Sequence, residues 1–104
     1  MTRMANDIEF PDGWDECVNP DGFAQELRRE LAKGHALYGR EVAAIAVRDD
    51  GDDVLFRTPS GEMFVIHLTW TEKPERLPWP LVVWKSTRHD FAEFTAWSSK
   101  HYSG

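Results

Sequence analysis

Asp52 and Asp53 open a stretch, DDVLFRTPSGEMFVIHLTW, that closes on His67, Thr69 and Trp70. A histidine near an aspartate can act as a base, help to hold a metal, or tie two strands together. TPSG at 58–61 is a turn signal, with Pro59 in the second turn position. If the flanking strands pair through this turn, residues whose numbers sum to about 119 or 120 face each other. His67 then lies opposite Asp52 or Asp53. The carboxylate would orient the ring and fix its tautomer. A structural pair tying the strand end to the preceding turn is the simplest role. The alternative is a small-molecule site, or a small enzyme, centred on His67 and Asp52 or Asp53.

Other chemistry has weaker support. His35, His89 and His101 are scattered, and no HExxH or comparable spacing occurs. DDGDD at 49–53 sets four carboxylates around Gly51, but it lacks the length and closing glutamate of an EF-hand. It reads as a solvated hairpin turn whose Asp-Gly step supplies the turn dihedrals. Cys17 precedes a helix rather than opening one. The serines at 60, 86, 98, 99 and 103 have no nucleophile-elbow context, and no glycine-rich phosphate cradle is present. No catalytic residue, metal or cofactor is expected, and an enzyme is the less favoured class.

A binding role has a better case. Trp79 stands between Pro78 and Pro80, which limits backbone freedom and presents the indole at low entropic cost. The same indole can instead fold back over the sheet as a lid. Glu72 and Glu75 share its loop, so Trp79, Glu72 and Glu75 form the candidate partner-binding set. Acidic residues outnumber basic ones by 18 to 12, a net charge of −6. That sign repels phosphate backbones and argues against nucleic acid; it suits a basic protein partner. With a single cysteine the chain forms no internal disulfide. The N-terminal residues lack an apolar run, and no stretch is long enough to span a bilayer. The expectation is a cytoplasmic protein without membrane contact.

The elements that must position these residues follow from local signals. With 104 residues, 41% of them apolar, the chain is long enough for one domain and one core. Residues 1–19 read as irregular, wrapped on the core and pinned by Trp14. A helix–strands–helix unit follows over 20–103. Asn19 can cap the first helix, Pro20 suits its first turn, and Phe23, Leu27 and Leu31 form one stripe. Arg28, Arg29, Glu30 and Lys33 are expected to face water, and Gly34 to end the helix. Residues 41–48 form a first strand, with Ala44 and Ala46 on one face and Ala43, Ile45 and Val47 on the other. Strands at 54–58 and 62–70 follow. In the latter, Phe64, Ile66, Leu68 and Trp70 make the core face, and Met63, Val65, His67 and Thr69 a mixed one. LVVW at 81–84 reads as an edge strand. Ser86 or Thr87 caps a closing helix with a stripe of Phe91, Phe94, Trp97 and Ser98, and Asp90 completes a capping box with Thr87. The fold class is α+β: a three- or four-stranded antiparallel meander with both helices packed on one face.

GHALYG at 34–39, DDVLF at 52–56, HLTW at 67–70 and PWP at 78–80 together resemble a family of small bacterial proteins. The resemblance spans roughly residues 23–97. It implies an α+β fold and a bacterial cytoplasmic origin, and it implies no activity, cofactor or catalytic residue. A compact acidic interaction domain, of the inhibitor or immunity-protein kind, is the expected function.

Overall fold

The computed structural model describes residues 10–49, 51–87 and 91–101. The elements run β1 (Trp14–Glu16), α1 (Pro20–Glu30), β2 (Ala43–Arg48), β3 (Asp53–Arg57), β4 (Met63–His67), β5 (Leu81–Ser86) and α2 (Phe91–His101). The five strands form one antiparallel sheet in the order β1-β2-β3-β4-β5. The α+β class is as expected, but the sheet has five strands rather than three or four. The fifth, β1, comes from the segment that reads as irregular in the sequence. Trp14 opens it, and its three residues pair with Ala46–Arg48. Trp14 is buried there, and its indole N–H donates to Ser98 Oγ at 2.8 Å.

Local signals explain the element starts. The Asn19 side chain accepts the Gly22 N–H, and Pro20 occupies the first turn of α1, where its missing N–H costs nothing. Gly61, at φ 97, closes the β3–β4 turn by donating its N–H to Thr58 O at 2.9 Å. Helix α1 ends at Glu30, before Gly34. The Glu30 carbonyl is taken by the Glu75 N–H at 2.9 Å, and Leu31 turns extended. Residues 88–90 lie outside the described residues, so the Asp90 capping box and His89 do too.

The helices do not share a face. Along β4, Phe64 and Ile66 join one buried cluster with Leu27 and Leu31, while Met63 and Val65 join another with Phe94. Along β3, Val54 and Phe56 alternate with Leu55 in the same way. Helix α1 therefore covers one face and α2 the other. The physical reason is that both faces of the central strands are apolar, and each needs a cover. A bulge between Ala44 and Ala46 divides β2 as well: Ala44 packs under α1, and Ala46 lies beneath Trp14 and Phe94. Strand β4 stops at His67, short of Trp70: the Leu68 N–H still reaches the Asp52 carbonyl, but the N–H groups of Thr69 and Trp70 go to a side-chain carboxyl on α1 instead of a ladder.

Among the described residues no helix is long and apolar enough to cross a membrane. Leu27 and Phe94 are fully buried, one in each cluster. Replacing either by alanine is predicted to cost about 2–5 kcal/mol, measured by urea unfolding. Losses below about 0.5 kcal/mol at both positions would contradict the two-cluster packing.

Candidate functional site

One end of the sheet gathers the residues singled out by their chemistry. There β3 begins at Asp53 and β4 ends at His67, and the two are register partners. His67 Nδ1 lies 2.6 Å from Asp53 Oδ1. A carboxylate at that distance accepts the Nδ1 proton and holds the ring in one orientation. The aspartate side chain is largely buried, and the histidine side chain is 39% exposed. Asp52 contributes its backbone oxygen, which accepts the Leu68 N–H at 2.8 Å. Trp79 stands edge-on to the His67 ring at 6.3 Å and is itself 38% exposed.

Leaving β4, the chain crosses to the α1 side. Trp70 packs edge-on to Phe23 at 5.4 Å and is 43% exposed, so it lies on the rim rather than in the core. The backbone of this loop is held by two carboxyls on α1. Glu30 accepts the N–H groups of Thr69, at 2.9 Å, and Trp70, at 2.7 Å. Glu26 accepts the Glu72 N–H at 3.0 Å. Glu26 and Glu30 are also hydrogen-bonded to each other. Both are buried, against the expectation that Glu30 faces water. The reason is that Phe23, Glu26, Leu27, Glu30 and Leu31 form one helical face, and the loop closes over its two polar members.

The pair's titration follows from this geometry. Burial, and then the bond to Glu26, push Glu30 up to about 7, against the opposing N–H groups of Thr69 and Trp70. Burial is also the largest influence on Glu26 and raises it. The bond to Glu30, the Glu72 N–H and Arg29 together outweigh burial and hold Glu26 below its ordinary value.

The partner-binding candidates divide. Trp79 and Glu72 are exposed. The Glu75 carboxylate is engaged within the loop, accepting the Thr69 hydroxyl at 2.7 Å. Leu77 is 51% exposed. With Pro78, Leu81, Val82 and His35 it lines a cavity of about 330 Å³ beside Trp79. His35 is buried: Nδ1 accepts the Leu37 N–H at 3.0 Å and Nε2 meets Pro80 O at 2.7 Å, which anchors the start of β5. His101 stacks on Trp97 at 4.9 Å, far along α2. Burial pushes the Cys17 thiol up. Among the described residues no three His, Cys, Asp or Glu side chains converge to hold a metal ion.

No family model, curated protein or solved structure matches the chain. The fold and site thus define an α+β domain with two covered sheet faces and a loop, residues 69–80, carried on a buried carboxyl pair.

The pair sets a pH dependence of stability. Glu30 binds its proton more tightly in the folded chain than in the unfolded one. Its contribution is full below 4.5 and is lost as pH rises through about 7. Glu26 acts in the opposite sense, and its contribution is lost as pH falls through its lowered folded value. Urea unfolding is predicted to show a loss of about 1–3 kcal/mol between about pH 5 and about pH 8.5. Glu30→Gln should flatten that slope; an equal slope in the variant would locate the dependence elsewhere.

Proposed function

We propose that the chain is a small protein-interaction domain, inhibitor- or immunity-like, that docks a basic partner through the loop at residues 70–79. One observation carries this. Of the five exposed large hydrophobic side chains among the described residues, three, Trp70, Leu77 and Trp79, fall in this loop. Exposed aromatics on an anchored backbone suit a binding face, because little entropy remains to be lost on docking. Glu26, Glu30 and Glu75 fix that backbone from within. The net charge of −6 favours a partner of opposite sign and would speed its approach. The resemblance to small bacterial proteins adds a bacterial cytoplasmic setting to the proposal.

A second function has one observation in its favour. His67 is partly exposed and held by Asp53 at 2.6 Å, the arrangement that orients an imidazole for proton transfer. A small-molecule binder or small enzyme centred on this pair is the alternative.

Affinity capture from cell extract separates the two. The intact chain is expected to retain a basic protein that elutes as salt is raised. Trp79→Ala should weaken retention at least about tenfold, with its thermal melt unchanged. His67→Gln should retain the same protein. Undiminished capture by Trp79→Ala would refute the docking face. Loss of capture only in His67→Gln would move the function to the His67–Asp53 pair.

A further inference from the structure

The two edges of the sheet are built differently. Strand β1 closes one with three residues, and two of them, Asp15 and Glu16, are exposed charges that blunt it against further pairing. Strand β5 forms the other with six residues, LVVWKS. It pairs with β4 on its inner side, and among the described residues no backbone group meets the outer side of residues 81–85. An antiparallel strand paired on one side turns about every second N–H and C=O pair outward. Leu81, Val82, Val83 and Trp84 are all partly exposed, whereas Met63, Phe64, Val65 and Ile66 of β4 are buried.

The structure is hollowed on both faces beside this edge. On the α1 side, Leu81 and Val82 line the cavity of about 330 Å³ together with Ala36, Leu77 and Pro78. On the α2 side, Trp84 and Lys85 line another of about 430 Å³ together with Glu93, Ala96, Trp97 and Lys100. The two cavities thus follow one another along β5, on opposite faces. The side chains of an added strand point to the two faces in turn, so one strand reaches both. The α1-side cavity is walled mainly by apolar side chains. In the α2-side cavity the cations of Lys85 and Lys100 outnumber one carboxylate, that of Glu93, which already accepts the Ser86 hydroxyl.

A second copy of the chain suits this edge poorly. Strand β5 is irregular at Val83: Val82 packs with the α1 cluster, while Val83 and Trp84 both pack with the α2 cluster. Two such strands would fall out of phase with each other, and each copy brings a net charge of −6. A short extended segment of another protein has neither constraint. We propose that the outer edge of β5 takes such a segment as an added strand, with an apolar side chain in the α1-side cavity and an acidic one beside Lys85 and Lys100. Main-chain hydrogen bonds to residues 81–85 supply the pairing, and the two cavities supply the selectivity. The site adjoins the loop at residues 70–79 and does not use Trp79.

The test uses the immobilised full chain to select from a random peptide library displayed on phage. The strongest binder is then titrated into isotope-labelled chain and followed by NMR. Selected peptides are expected to combine apolar residues with an aspartate or glutamate, and to shift and protect the amides of residues 81–85. Ala36 and Ala96 are both exposed, so Ala36→Trp and Ala96→Trp each fill one cavity without entering the core. Each should weaken peptide binding at least about tenfold, with the thermal melt unchanged. Trp79→Ala should bind the peptide as the wild-type chain does, which keeps this site distinct from the loop's. Selection that yields no binder, a binder whose shifts map to other residues, or undiminished binding in either filled variant would overturn the proposal. So would sedimentation showing β5 covered by a second copy of the chain. Should a filled variant not fold, the shift map of the wild-type chain decides alone.

Discussion

A carboxyl group taken out of water needs a proton, a counter-charge or several hydrogen-bond donors, and two side by side must share what is there. Glu26 and Glu30 satisfy this need with each other and with the backbone of residues 69–72. The arrangement serves both sides. The loop leaves β4 with N–H groups that no strand can pair, and the helix carries acceptors that water cannot reach. Where β4 stops and where the loop turns both depend on this exchange. The last carbonyl of α1 is drawn in as well, since Glu30 O accepts the Glu75 N–H.

The same end of the sheet presents different chemistry on its two faces. On the α1 side the buried carboxyls fix the loop and set Trp70 at the rim. On the α2 side Asp53 orients His67, and Trp79 stands edge-on to the ring. His35 secures Pro80 from behind, so the segment between the two faces is fastened at both ends. A loop held in this way can display Leu77 and Trp79 to solvent without collapsing them onto the core. That combination of fixed backbone and exposed apolar side chains is the physical basis for assigning it a binding role.

Much of the fold is legible along the chain. The Asn19–Pro20 start of α1, the Phe23-Leu27-Leu31 stripe and the TPSG turn each carry a local cause, and each lies where that cause puts it. The placement of His67 opposite Asp53 follows from counting through that turn. The covering of both sheet faces is less visible, because Met63 and Val65 share their face with His67 and Thr69, which makes it read as half-wet. The bulge at Ala44/Ala46 breaks the period-two count, and three paired residues at Trp14–Glu16 are too few to signal a strand by pattern. Glu26 and Glu30 escape a reading by residue type because charged residues on a helix ordinarily face water. Their signal is present nonetheless: they fall three and seven residues after Phe23, in line with the buried stripe, with no lysine or arginine among the stripe positions.

The loop is attached to α1 through two buried carboxyls, and a titration of the side-chain carboxyl carbons by NMR tests their setting most directly. Glu30 is predicted to titrate at about 7, well apart from the surface glutamates, with Glu26 below its ordinary value of 4.5 and responding again as Glu30 ionises. If both glutamates titrate together near 4.5, with no second step toward neutrality, the carboxyls are solvated and do not hold the loop to the helix from a buried position.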